Sequence, residues 1–217
     1  MTLAIFDLDN TLLGGDSDHA WGEFIADIGI VDGAAYRQRN DAFYDDYCRG
    51  ALDIYAYQRF VLAPLVGINP TELARWHAQF MREKIQPIVL PKAQALVQWH
   101  REQQHTLMII TATNTFITAP IAQLFGINTL LATQPEQKDG FYTGDVEGVP
   151  CYREGKVVRL EQWLNDHQQT LAGSYFYSDS HNDLPLLSLV DHPVAVDPDA
   201  ELRKQAELRG WQITSLR

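Results

Sequence analysis

The stretch Leu3-Ala4-Ile5-Phe6-Asp7-Leu8-Asp9-Asn10-Thr11 constrains this chain more than any other. Four apolar residues run straight into a carboxylate, a second carboxylate follows two positions later, and a hydroxyl two after that. A short apolar run of this kind reads as a strand buried on both faces, the sort found inside parallel sheets. Polar residues at its carboxyl end then lie where open α/β sheets place their ligands. On a strand or its extended continuation, residues two apart share a face, so Asp7, Asp9 and Thr11 are expected to converge. Two carboxylates held that close need a cation or a shared proton.

Three readings of this stretch compete: a strand ending in a solvated acidic turn, a calcium loop, and a metal-assisted phosphoryl-transfer site with an aspartate nucleophile. A calcium loop wants glycine at its sixth position and glutamate at its twelfth, after a helix. Here Leu12 and Asp18 stand there, after a strand. The third reading needs partners elsewhere in the chain.

With 217 residues, a core plus an insertion is the natural prior, and 46% hydrophobic residues suffice to fill that core. A net charge of −11 argues against nucleic acid and sets up a field that repels anionic substrates. A phosphate ester would therefore need positive charge supplied by the site itself. Cys48 and Cys151 form no metal or redox pattern and are read as buried thiols of a reducing compartment. No leader and no membrane-spanning run is seen, so the expected location is cytoplasmic.

After Thr11, Gly14-Gly15 reads as a hinge. Between it and Pro91 every pattern is helical: Trp21, Phe24, Ile25 and Ile28; then Tyr36, Phe43, Tyr44 and Tyr47; then Leu52 to Leu65; then a helix opening at Thr71. From Pro91 helices and strands alternate. The spacing predicts a helix carrying Ala93, Leu96, Val97 and His100, and strands at Thr106–Thr111, Asn128–Leu131, Tyr175–Tyr177, Val194–Val196 and Trp211–Ile213. Helices are expected over 113–125 and 155–167, with a hairpin around Lys138-Asp139-Gly140. This order implies an α/β fold: a doubly wound, Rossmann-like parallel sheet formed by 1–13 and 91–217, with an all-helical cap inserted over 14–90.

Three predicted strands end in residues of related chemistry: Asp7 and Asp9, Thr111, and Asp179 with Asp183. Parallel strands bring such ends to one edge. Four carboxylates gathered there call for a cation, and oxygen ligands alone favour Mg²⁺. Lys156, at the start of a helix, supplies a further positive charge. Taken singly, each has a plain structural explanation: a surface lysine, a strand-end hydroxyl, a helix-capping loop.

In this order, Asp7-Leu8-Asp9-Asn10-Thr11, Thr111, Lys156 and Asp179-Ser180-His181-Asn182-Asp183 resemble the haloacid dehalogenase superfamily, in its phosphoserine phosphatase-like branch. Thr143-Gly144-Asp145-Val146-Glu147-Gly148 resembles that branch too. The resemblance implies an Mg²⁺-dependent phosphomonoesterase working through an aspartyl-phosphate. Asp7 would be the nucleophile, Asp9 the general acid and base, and Thr111 and Lys156 the phosphoryl ligands. Mg²⁺ would be held by Asp7, the backbone carbonyl of Asp9, and Asp179, with Asp183 ligating directly or ordering its waters. For substrate binding it points to Asp16, Arg59, Ala112 and Thr113. The departures from the family pattern are Asp16 in place of an ammonium-binding glutamate, and Thr111-Ala112-Thr113 in place of Ser-Gly-Gly. A cap rich in aromatics and acids suits a small, amine-bearing ester of the phosphoserine or histidinol phosphate class. A phosphotransferase sharing the intermediate, and a non-catalytic metal-binding module, are the alternatives.

Overall fold

A computed structural model describes residues 2–217. Seven strands form one sheet in the order β4-β3-β2-β1-β5-β6-β7. They are β1 (Leu3–Phe6), β2 (Thr106–Asn114), β3 (Thr129–Lys138), β4 (Phe141–Glu147), β5 (Tyr175–Ser178), β6 (His192–Val196) and β7 (Gln212–Thr214). All neighbours run parallel except β3 and β4, which pair antiparallel as the expected hairpin. The chain winds outward from β1 through β2 and β3, then returns across β1 to build β5, β6 and β7. That reversal leaves a crevice at the carboxyl ends of β1, β2 and β5.

Every residue of β1 is fully buried. Ala4 and Phe6 join one apolar cluster with α5 (Pro91–Glu102) and α6 (Thr115–Leu124), while Leu3 and Ile5 join another beneath α7 (Glu154–His167), α8 (Leu184–Leu187) and α9 (Ala200–Arg209). This is strand alternation with both faces covered.

Between β1 and β2 lie α1 (Ser17–Asp27), α2 (Gly33–Cys48), α3 (Ile54–Leu62) and α4 (Pro70–Phe80), followed by short turns of helix. Each begins behind an Asp or Asn at its N-cap; Asp16, Asp53 and Asn69 accept from the first-turn amides. The first apolar cluster continues unbroken into these helices. Trp21, fully buried, packs edge-on against Phe80 and against Phe116 of α6.

Two expectations change, and the neighbourhood of Gly14-Gly15 gains detail. The chain enters and leaves the helical segment side by side: Leu13 bridges Val89, and the Gly14 N–H donates to the Ile88 carbonyl at 2.7 Å. Gly14-Gly15, read from the sequence as a hinge, thus lies beside the returning segment of the chain. Strand β3 runs on to Lys138 because β4 pairs with its far end, and β2 runs on to Asn114, which still pairs with Thr133 of β3 after a bulge. Cys48, at the end of α2, is exposed, and only Cys151 is a buried thiol. No helix among the described residues is long and apolar enough to cross a membrane.

Candidate active site

Asp7 is the first residue beyond β1, and its N–H still donates to Tyr177 of β5 at 2.9 Å. The backbone then turns instead of staying extended. Thr11, Leu12 and Leu13 all send their N–H groups to the Leu8 carbonyl, with Asn10 at φ 56°, a left-handed position that Asn tolerates. The turn achieves the convergence expected of an extended chain: buried Thr11 donates its hydroxyl to Asp179 Oδ1 at 3.1 Å.

Lys156 lies in the first turn of α7 and is 3% exposed. Its ammonium donates to Asp7 Oδ1 at 2.8 Å and reaches both oxygens of Asp183, at 2.7 and 2.9 Å. The Ser178 hydroxyl also donates to Asp183, at 2.6 Å. Burial works against the ammonium, but Asp183 and Asp7 outweigh it and raise its pKa. Lys156 stays charged. Gly155 is what allows α7 to start this close, because a Cβ there would lie 2.1 Å from the Pro150 carbonyl oxygen.

Asp9 has different partners. Its Oδ1 accepts from the Ser17 N–H at 2.6 Å, at the start of α1, and its Oδ2 accepts from the Thr113 hydroxyl at 2.8 Å. A bulge in β2 makes the second bond possible. Thr111 pairs with Ala132 and Asn114 with Thr133, so Ala112 and Thr113 lie outside the ladder and are turned toward the crevice. Thr111 is 1% exposed and accepts from the Thr113 N–H at 3.2 Å.

The two aspartates of the first strand end are both hard to ionise. Burial pushes Asp7 up to about 7 against the pull of Lys156, and burial with the neighbouring Asp16 pushes Asp9 up to about 7. Burial, then Asp7 and Asp183, raise Asp179 well above the carboxylate range. Among the described residues Lys156 is the one buried lysine or arginine. Asp7 and Asp183 hold the one ammonium while Asp9 and Asp179 have none, a deficit of positive charge that a small divalent cation fits. The donors are all oxygens, which suits Mg²⁺. Both oxygens of the Asp9 carboxylate are directed toward Ser17 and Thr113, which leaves its backbone carbonyl as the group suited to a metal.

A cavity opens from this cluster into the helical segment, lined by Asp7, Asp9, Thr111, Ala112 and Thr113 and, from α1 to α3, by Asp16, Asp18, Asn40, Tyr44 and Tyr57 among others. Asp16 is there, but as the N-cap of α1: its Oδ1 accepts from Asp18 and His19 N–H at 2.9 and 2.8 Å. Arg59 is not. It is exposed, beside a separate groove formed with Val31, Tyr36 and Phe60. Tyr57 faces the cavity, and two residues further along a helix a side chain points the other way. The aromatics divide: Trp21 and Tyr36 pack in the interior, whereas Tyr44 and Tyr47 reach the cavity. Sequence reasoning missed Asn40 and Tyr57 in the cavity and Ser178 behind Asp183; none carries a local signal.

Carboxylates, a hydroxyl and a buried ammonium gather at the carboxyl edge of a doubly wound sheet, the place where α/β enzymes of this topology hold their ligands. A model of the haloacid dehalogenase-like hydrolases matches residues 4–188, and the chain belongs to that family. A histidinol-phosphatase of Neisseria meningitidis serogroup C (strain 8013) is 48% identical over 219 residues, 99% of each chain. A crystal structure of a protein of unknown function from Bordetella pertussis Tohama I is 47% identical, covers 100% of both chains and superposes with a TM-score of 0.93. A substrate-bound phosphoserine phosphatase shares the fold at 16% identity and TM-score 0.73, over 100% of this chain and 93% of its own. The protein is a phosphatase of this family.

Proposed function

We propose that the protein is an Mg²⁺-dependent phosphomonoesterase acting through an aspartyl-phosphate on a small, amine-bearing ester of the phosphoserine or histidinol phosphate class. Residues 14–90 would serve as a cap over a core of 1–13 and 91–217. One observation carries the reading: Asp7 is tied to Lys156, while Asp9, two residues away, is held by an entirely separate set of donors. Two carboxylates in distinct surroundings can take two roles.

In the first step a carboxylate oxygen of Asp7 attacks phosphorus, and the bond from phosphorus to the alcohol oxygen breaks. Asp9, protonated to a useful extent near pH 7, gives its proton to that oxygen and the alcohol leaves. In the second step Asp9 takes a proton from water. The water oxygen attacks phosphorus, the bond to Asp7 breaks, and phosphate is released. Thr111 and Lys156 stabilise the charge on the phosphoryl oxygens. Asp7, the Asp9 carbonyl and Asp179 would hold Mg²⁺, with Asp183 behind them; when bound, the ion neutralises charge on the phosphoryl group. The 48% identical histidinol-phosphatase supports an aminated substrate.

Asp7→Asn should abolish Mg²⁺-dependent hydrolysis of an aryl phosphate with the melting temperature retained; turnover by the variant would refute the nucleophile. With Asp9→Asn, an acid-quenched single turnover on a good leaving group should trap phosphoenzyme, and its absence would count against the second role of Asp9.

A further inference from the structure

Asp18 and Asn40 line the same cavity as Asp7 and Asp9. Asp18 is 5% exposed, and its Oδ1 has no hydrogen-bond partner. Asn40 is 1% exposed; its Nδ2 donates to the His19 carbonyl at 3.0 Å, which fixes the amide's orientation and leaves Oδ1 without a partner. Folded proteins leave few buried acceptors unpaired, and each costs about 1–3 kcal/mol. The position of Asn40 is tightly specified. A Cβ on Gly22 would lie 2.4 Å from Asn40 Nδ2, so only glycine on that turn of α1 lets the amide sit there.

Two unpaired acceptors, one belonging to a carboxyl group that burial and then Asp16 and Asp9 make costly to ionise without a cation beside it, are complementary to N–H donors bearing positive charge. The rings of Phe43, Tyr44 and Tyr57 line the same cavity, and aromatic faces attract cations. Asp16 is less free for this task, because its Oδ1 already holds two backbone amides. Among the described residues no lysine or arginine lines the cavity. His19 also lines the cavity, but its Nε2 is engaged by Asp41 at 2.8 Å, so a carboxylate on the ligand would meet Asp16 and Asp18 with no free cationic side chain to pair it.

Building on the phosphomonoesterase reading, we propose that Asp18 and Asn40 form the specificity-determining subsite for a protonated nitrogen on the alcohol part of the ester. The cavity accepts phosphates of aminated alcohols and rejects phosphorylated amino acids, whose carboxylate it cannot neutralise.

The test compares kcat/KM of wild type, Asp18→Asn and Asn40→Leu on phosphoethanolamine and phosphoserine, which differ only by a carboxylate, and on histidinol phosphate and p-nitrophenyl phosphate. Wild type should favour phosphoethanolamine over phosphoserine at least tenfold. Each variant should lower the ratio of histidinol phosphate to aryl phosphate at least tenfold, chiefly through KM. An unmoved ratio, or a wild-type preference for phosphoserine, overturns the subsite while leaving the chemistry of Asp7 standing. A second arm needs no turnover. Histidinol, but not histidine, should raise the melting temperature of wild type, and neither should raise that of Asp18→Asn. Failure of histidinol to do so also overturns the subsite. A histidinol shift dependent on Asp18, in an enzyme that forms no phosphoenzyme, would uphold the subsite and sink the Asp7 reading instead. Asp18→Asn should itself melt no lower than wild type, since it removes a buried carboxylate.

Discussion

Lys156 contributes a permanent charge in a site where ionisation is otherwise costly. Its three contacts to Asp7 and Asp183 fix the ammonium next to the proposed nucleophile. Lys156→Ala should weaken transition-state binding by about 3 kcal/mol, the typical loss for one preorganised donor, measured as a fall in kcat/KM with the fold intact. Near-normal kinetics would remove Lys156 from the reaction. At this scale the sequence is most legible where chemistry and element boundary coincide. Asp7, Thr111 and Asp179 could be found because each closes an apolar run. Arg59 could not be placed, because its direction depends on the phase of α3, which charge does not reveal. Asn40 was invisible for another reason. Its position rests on the missing side chain of Gly22, 18 residues earlier.

Among the elements, α7 has its start set by close backbone contact. It starts immediately behind Arg153, a non-glycine residue at φ 51°, and against the carbonyl of Pro150. Gly155→Ala would put a methyl group where backbone already sits, so the helix start must move and take Lys156 with it. The expected cost is about 1–3 kcal/mol of stability, read from the urea midpoint, together with a larger fall in kcat/KM than that loss explains. Normal activity with normal stability would mean that the loop yields freely. The elements themselves were largely readable from periodicity: α5 opens at Pro91 as expected, and β1, β5 and β6 lie where apolar runs place them. The bulge in β2 was not readable. Its cause is the register with β3, a pairing between distant segments, and only that register turns Ala112 and Thr113 toward Asp9.

For the molecule as a whole, the acidic site opposes neutral-pH stability. Asp7 and Asp9, at about 7, and Asp179, also raised, hold protons in the folded chain that the unfolded chain has released by then. Their contribution is therefore greatest below the unfolded value of 3.8 and is lost as pH rises toward 7. Mg²⁺ should offset the loss, raising the melting temperature more at pH 7.5 than at pH 5, and Asp179→Asn should shrink that shift. Equal shifts at both pH values would argue against carboxylate ligation. The charge of −11 acts over longer range. The screening length falls from about 30 Å at 0.01 M salt to about 8 Å at 0.15 M. Over that range kcat/KM for a dianionic aryl phosphate should rise, because repulsion is screened; a fall would show that attraction by the site dominates the approach. The net charge and the need for local cations were legible from composition. The continuity of the apolar interior from the sheet into the inserted helices was not, since it depends on contacts such as that of Trp21 with Phe116.

The pairing of Leu13 with Val89 has a consequence for how such molecules diversify. Two segments that leave the sheet as neighbours impose no length on what is strung between them. The machinery that handles phosphorus could stay constant while the stretch beyond the doorway is shortened, lengthened or exchanged, and with it the choice of alcohol.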